Sequence, residues 1–390
     1  MFFVDDPYVS DFFKKTVLEN ALPVVNTPGA QKYSFLPGTN LISEADAIQA
    51  LRKDKAPLLY TTSENTIGWI AQHLDFTGIP AQIEFFKDKA KFRRVTQSIF
   101  PSLYFKEVPL NELNEVRVEE LPLPFVIKPS VGFFSLGVHK VNSAAEWPGT
   151  IAAIQKEIDQ ITGMYPDEVL NIRSFIIEGC IDGDEFAIDA YYNGEGQAVI
   201  LDILHHTFSS AADVSDRIYT TSKEIINGNL DEFSDFLNKI GSVTGVKRFP
   251  VHVELRRDTS GTLLPIEVNP MRFGGWCSTP DLAYAAYGLN PYLYYQNQQK
   301  PDWDKLLANK DNLLYSVVIL DNSTGKTAEE IASFDYEKLL ASFEHPLELR
   351  KINYHVHPLF AFLYVETRAE NTSELDSILH SKLNEFITIR

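Results

Sequence analysis

The sequence predicts a mixed fold, a small parallel α/β sheet at the amino end joined to antiparallel α+β structure. Three observations predict it. Residues 1–86 alternate short apolar runs with helically spaced ones. Residues 174–192, SFIIEGCIDGDEFAIDAYY, read as strand, short connector and strand. Residues 251–275, VHVELRRDTSGTLLPIEVNPMRFGG, read as two strands around the turn Asp258-Thr259-Ser260-Gly261.

In the amino-terminal part, MFFV, ALPVVNT and APLLYTTS are the expected strands. The expected helices cover Tyr8 to Ala21, residues 43–54 with Ser43 as N-cap, and a segment from Ser63 or Glu64 to Leu74. Strands alternating with helices give a parallel sheet, whose ligands bind beyond the carboxyl ends of the strands. Asp5, Asp6, Thr61, Thr62, Ser63 and Glu64 fall there, where they also suit ordinary caps and turns.

Residues 86–97, FKDKAKFRRVTQ, are expected as one basic helix in a chain whose net charge is −18. A charge run is normally a solvated face, but this one runs against the charge of the chain, so a lysine contact to phosphate fits. PFVIKP is expected as a strand ending at Lys128. The glycine turn that follows, with Gly132, Ser135 and Gly137, can bring backbone N–H groups near phosphate oxygens, or can simply turn a hairpin. It is no Walker A loop, because GxxxxGK[ST] is absent. Further helices are expected over Trp147 to Ile161, Asp231 to Val243 with Gly245 as the stop, and from about Pro280. Residues 209–223 read as polar loop, with Arg217 inside it. His205 and His206 lack metal-ligand spacing. In the 251–275 hairpin, period 2 puts Glu267 and Asn269 on one face. With Glu254 opposite, three oxygen-bearing side chains converge, a ligand set that suits a hard divalent cation. The same residues also suit a plain hairpin with a solvated acidic face. Residues 315–390 carry strands near Tyr315–Leu320 and His357–Thr367 and a helix from Ser373, with no motif.

Composition narrows the function. The chain has 390 residues, enough for two or three domains. Its net charge excludes nucleic-acid binding through a general basic surface. Two cysteines are too few for a disulfide framework and point to a reducing cytoplasm. No apolar run reaches the roughly 18 residues of a membrane span. The start, MFFVDDPYV, lacks a positive n-region, so no secretory leader is expected.

The order of these pieces resembles the ATP-grasp superfamily, over residues 1 to about 300. A small α/β domain is followed by a basic helix, the VIKP strand, a glycine turn, an acidic strand–hinge–strand and a Glu hairpin ending in EVNP. The branch it resembles contains L-amino acid ligase and biotin carboxylase-like enzymes. The resemblance implies an N-terminal pre-ATP-grasp domain over 1–86 and an ATP-grasp domain over 87–314, with a hinged antiparallel lid at about 118–182. Residues 315–390 are left to complete the fold, cover the site or form a homodimer contact. It implies that Lys89 and Lys128 contact ATP phosphates, under a loop at 130–137 that includes Ser135. Glu178 with the backbone of Cys180 and Ile181 would hold adenine, and Glu185 the ribose. Glu254, Glu267 and Asn269 would bind Mg²⁺, or Mn²⁺ in its place. Arg272 would stabilise the transferred phosphoryl group or the acyl phosphate, and Arg217 would hold a substrate carboxylate. Met271 intervenes where the family often has arginine directly after Asn-Pro. Phe133 and Phe134 stand where small residues are commoner.

The implied activity is ATP-dependent ligation of a small-molecule or amino-acid carboxylate to an amine through an acyl phosphate. A peptide- or protein-modifying ligase and a non-catalytic nucleotide-binding module are the alternatives.

Overall fold

In the computed structural model, residues 1–132, 137–161, 171–210, 213 and 215–390 are described. The chain opens with four short parallel strands, β1 (Phe2–Phe3), β2 (Val24–Val25), β3 (Leu41–Ile42) and β4 (Tyr60–Thr61), in the order β3-β2-β1-β4. Between them lie α1 (Asp11–Glu19) and α2 (Glu44–Lys53). Ser43 caps α2 by accepting from the Asp46 amide at 3.1 Å, satisfying one of the orphan N–H groups of the first turn. A 3-10 turn, Glu64–Thr66, leads from β4 into α3 (Ile67–His73).

The basic segment is two helices, not the single one expected. α4 (Ile79–Lys87) stops, and Asp88 becomes the N-cap of α5 (Lys89–Thr96) by accepting from the Lys91 amide. Aspartate competes for backbone N–H groups better as a cap than inside a helix, so the break falls on it.

Next comes an antiparallel sheet of β5 (Phe105–Pro109), β6 (Phe125–Val131), β7 (His139–Val141) and β8 (Asn171–Gly179), ordered β5-β8-β6-β7. With α6 (Trp147–Ile161) it shares a core that includes Phe125, Ile127, Val141, Trp147, Ile154, Phe175 and Ile177. β6 runs on through Pro129 instead of ending at Lys128. Among the described residues β7 pairs only with Phe125–Ile127, so the N–H that proline lacks removes no bond on that side.

The remainder contains β9 (Asp184–Tyr192), β10 (Ala198–Thr207), β11 (Ile218–Ser222), α7 (Lys223–Thr244), β12 (Phe249–Arg257), β13 (Leu263–Pro270), α8 (Ser278–Tyr287), β14 (Leu313–Asp321), β15 (Ile331–Phe334), β16 (Pro346–Lys351), β17 (Leu359–Arg368) and β18 (Ile387–Ile389). His205 and His206 lie inside β10 rather than after it. β11 occupies part of the stretch expected as polar loop. Its hydroxyls are satisfied in the interior, Thr220 by Ser316 at 2.8 Å and Thr221 by Asp202 at 2.7 Å, so a polar strand can be buried. α7 begins eight residues before the expected Asp231 and stops before Gly245, whose φ is +68°.

The contacts group the chain into two units. The first comprises Met1–Gly183, Tyr191–Ala198 and Asp235–Trp276, and holds the parallel sheet, the four-stranded antiparallel sheet and the β12–β13 hairpin. The second comprises Asp184–Ala190, Val199–Ser234 and Cys277–Arg390. It carries antiparallel strands ordered β10-β11-β14-β17-β16 and the β15–β18 pair, around a core that includes Val318, Leu320, Phe334, Phe360, Leu363 and Phe386. Among the described residues no helix is long and apolar enough to cross a membrane.

Candidate active site

The site in the first unit starts from the β12–β13 hairpin. Its register pairs Glu254 with Glu267 and His252 with Asn269. Directly opposed residues of an antiparallel pair share a face, so both glutamates and the asparagine lie on one side, with Val253 and Val268 on the other. Two carboxylates facing each other repel unless a cation is near. Lys89 supplies one, its ammonium 3.1 Å from Glu267.

Lys89 is the first residue of α5, and Arg93 lies four residues on, over the same face. The Lys89 ammonium also donates to the Gly132 carbonyl at 3.2 Å, where the glycine turn begins. The Arg93 guanidinium is buried, donating to Glu178 and to the Ile266 carbonyl at 2.9 Å. Lys128 meets the other oxygen of Glu178 at 2.6 Å. Burial alone would push the Glu178 carboxyl up, but Arg93 and Lys128 hold it down at about 2. Glu267 is likewise held at about 2, burial being outweighed by Lys89 and Lys128. Burial works to lower the Lys89 ammonium, and Glu267 more than reverses that, leaving it raised; Glu64 and Glu178 act in the same sense.

A further carboxylate joins from the amino-terminal sheet. Glu64, just after β4, is bonded to Lys87 and accepts from Arg272 Nε at 3.2 Å and Nη2 at 2.8 Å. Against its burial, Lys87 and Arg272 bring its carboxyl down to about 2. Met271 takes a left-handed conformation, φ +65°, which turns the chain between Pro270 and Arg272.

The other expected residues are placed as follows. Ser135, with Phe133 and Phe134, lies outside the described residues. The Cys180 amide donates to the Pro124 carbonyl at 3.3 Å, and the Ile181 carbonyl accepts from Arg256 at 2.6 Å. In the second unit, Glu185 meets His206 Nδ1 at 2.8 Å. The His206 ring stacks on Tyr219, and its Nε2 lies 3.1 Å from the Ser215 carbonyl. Arg217, also in the second unit, is 4% exposed, with Nη2 on Asp321 and Ser323 at 2.9 Å each. Among the described residues its Nε and Nη1 have no protein partner, and burial lowers its guanidinium from the ordinary value.

Among the described residues of this site the cations Lys87, Lys89, Arg93, Lys128 and Arg272 outnumber the carboxylates Glu64, Glu178, Glu254 and Glu267 by one. Such an excess in an acidic chain suits a polyanionic ligand. Among the described residues no three His, Cys, Asp or Glu side chains form a ready metal cage. Two opposed carboxylates and an amide do fit a hard cation that completes its shell with water and phosphate oxygens, and Lys89 already neutralises one of them. From the sequence, Glu64 falls at the carboxyl ends of the strands, where it also suits a cap, while Lys87 and Arg93 are only members of the basic run, with the Lys89–Arg93 spacing the one local signal for Arg93.

Residues 121–280 match the family model described as "ATP-grasp domain". No curated protein matches the chain. Among the solved structures that share the fold are the following three. The L-amino acid ligase from Bacillus licheniformis has 16% identity and a TM-score of 0.71, over 100% of this chain and 98% of that one. The biotin carboxylase–β-γ-ATP complex from Campylobacter jejuni has 11% identity and a TM-score of 0.62, over 100% and 92%. The N5-carboxyaminoimidazole synthase from Aspergillus clavatus, in complex with ADP and 5-aminoimidazole ribonucleotide, has 11% identity and a TM-score of 0.64, over 99% and 98%.

Proposed function

With an ATP-grasp domain at residues 121–280 inside an ATP-grasp fold, we propose that the protein is an ATP-dependent carboxylate–amine ligase acting on a small-molecule or amino-acid acid. The observation that supports it most is the cation excess around Lys89, beside the opposed Glu254 and Glu267. Lys89 and Lys128 are assigned to phosphate oxygens as point charges, and Ser135 to the same phosphates. Glu254, Glu267 and Asn269 are the residues that would hold Mg²⁺, with Mn²⁺ as substitute. When bound, the ion neutralises charge on the β- and γ-phosphate oxygens. Glu178 and the backbone of Cys180 and Ile181 are assigned to adenine, Glu185 to the ribose hydroxyls, and Arg217 to a substrate carboxylate. The proposed organisation is 1–86, 87–314 with the lid at about 118–182, and 315–390, in a cytoplasmic protein that allows a homodimer.

In the proposed reaction a substrate carboxylate oxygen attacks the γ-phosphorus. The β–γ bridging P–O bond breaks, and ADP leaves with the electron pair. The amine then attacks the acyl carbon and phosphate departs. Charge neutralisation and positioning carry the first step, so residues held ionised suit it better than residues poised to titrate.

The test is ADP release with Mg²⁺ and ATP over pooled amino acids. Amine-dependent ADP supports the reading. Peptide-dependent ADP moves the substrate to a peptide or protein. Calorimetric ATP binding with no turnover on any acid reduces the chain to a nucleotide-binding module. Glu267→Gln is expected to abolish turnover and keep the circular dichroism spectrum, and wild-type-like ADP release by that variant would refute the metal assignment.

A further inference from the structure

We propose that Glu64, contributed by the segment after β4, is a positioning residue that fixes the orientation of the Arg272 guanidinium. The inference rests on the ligase reading for its kinetic consequence, though not for its geometry.

Three observations carry it. First, the guanidinium is anchored on every nitrogen. Nε and Nη2 both donate to Glu64 Oε1, at 3.2 and 2.8 Å, and Nη1 donates to the Phe273 carbonyl at 2.9 Å. A planar fork gripped this way has one orientation. Second, the segment that carries Glu64 also grips the backbone behind Arg272. The Met271 carbonyl accepts from the Thr61 amide at 2.8 Å and from its hydroxyl at 3.3 Å, while the Met271 amide donates to the Pro250 carbonyl at 2.8 Å. Thr61 ends β4, three residues before Glu64. The end of β4 and the turn after it thus fix both the main chain and the side chain of Arg272. Third, the other Glu64 oxygen is taken by Lys87, the last residue of α4, so a buried carboxylate serves two cations.

The left-handed Met271 redirects the chain, and Glu64 catches the side chain that results. Arg272 stands two residues past the end of β13, the strand that carries Glu267 and Asn269. Because Lys87 and Arg272 keep Glu64 ionised, it has no proton to give near neutrality. Its part is orientation.

The experiment compares Glu64→Gln, Glu64→Asp, Arg272→Lys and the Gln/Lys double variant. A guanidinium misplaced by about 1 Å loses on the order of 100-fold in rate. Glu64→Gln should therefore lower kcat by on the order of 100-fold, with KM for ATP nearly unchanged, and Glu64→Asp should recover part of it. The double variant should be no slower than Arg272→Lys alone, because both changes remove one orientation. A multiplicative loss in the double variant, or a raised KM and lowered Tm with kcat intact, overturns the proposal in favour of a purely structural ion pair. The geometric half is read without turnover. A slowly exchanging arginine Nε–H resonance, assigned by its absence in Arg272→Lys, should vanish in Glu64→Gln. If wild type releases no ADP with any acid, the ligase reading fails, and this resonance still decides whether Glu64 holds Arg272. Its persistence in Glu64→Gln overturns the inference.

Discussion

Glu178 in the first unit and Asp202 in the second are both shut away from solvent, 4% and 0% exposed. Their charge states go opposite ways. Glu178 has Arg93 on one oxygen and Lys128 on the other, and is held at about 2. Asp202 has Thr221 and the Ile203 amide on Oδ1, no partner on Oδ2 among the described residues, and the negative charge of Asp189 acting on it. Burial, with Asp189 adding to it, drives the Asp202 carboxyl well above its ordinary value. The same desolvation cost is thus met by pairing in one unit and by a raised affinity for the proton in the other. Charge in the interior is expensive. Where the chain keeps nine charged groups together with a cation in surplus, a ligand that uses the surplus is the economical explanation. Where it strengthens the hold of a carboxyl on its proton, packing is enough.

Breaking the pairing in the first unit should have the largest effect. Arg93→Met keeps the volume but leaves Glu178 with Lys128 alone and frees the Ile266 carbonyl. Removing one partner of a buried pair costs about 3–5 kcal/mol, and chemical denaturation should show a loss at the lower end because Lys128 remains. A loss below about 1 kcal/mol would mean the cluster is more hydrated than its burial implies. Next is acid. Glu178 has a folded value of about 2, below the ordinary 4.5, so its contribution is fully present above about 4.5 and is lost as pH falls towards 2. The difference is worth roughly 3 kcal/mol for this one carboxylate. Glu64 and Glu267 shift in the same direction. Hydrogen exchange in peptides spanning residues 89–96 and 174–179 should accelerate through that window. A flat profile there would remove the pairing half of the contrast.

Much of the first unit was legible in the sequence because its signals are local. Ser43 as a cap, Gly245 as a stop and the Glu254–Glu267 register follow from spacing and turn chemistry over a few residues. The ion pairs were not legible, because Arg93 meets Glu178 85 positions away and Arg272 meets Glu64 208 positions away. No periodicity connects such residues. The buried strand Ile218–Ser222 was missed for a related reason. Its Thr and Ser look like loop until Ser316 and Asp202 are seen to bond them. The break at Asp88 was in the sequence, but the run of lysines and arginines around it hid the cap.

The smallest effect should come from Asp202→Asn, and its sign is the sharpest check on the contrast. Asp202 has a folded value raised above 3.8, so the proton it holds stabilises the fold fully below about 3.8. That contribution fades as pH rises through the raised folded value, the reverse of Glu178. Asparagine matches the protonated acid in shape and cannot ionise. It can still accept from Thr221 and can donate towards Asp189. Below pH 3.8 the variant should therefore match wild type within about 1 kcal/mol, and at alkaline pH it should be the more stable of the two. Denaturant melts at a series of pH values measure both limbs. A loss of more than about 3 kcal/mol at every pH would mean that Asp202 is ionised and paired after all, and the second unit would then have to be searched for the cation that pairs with it.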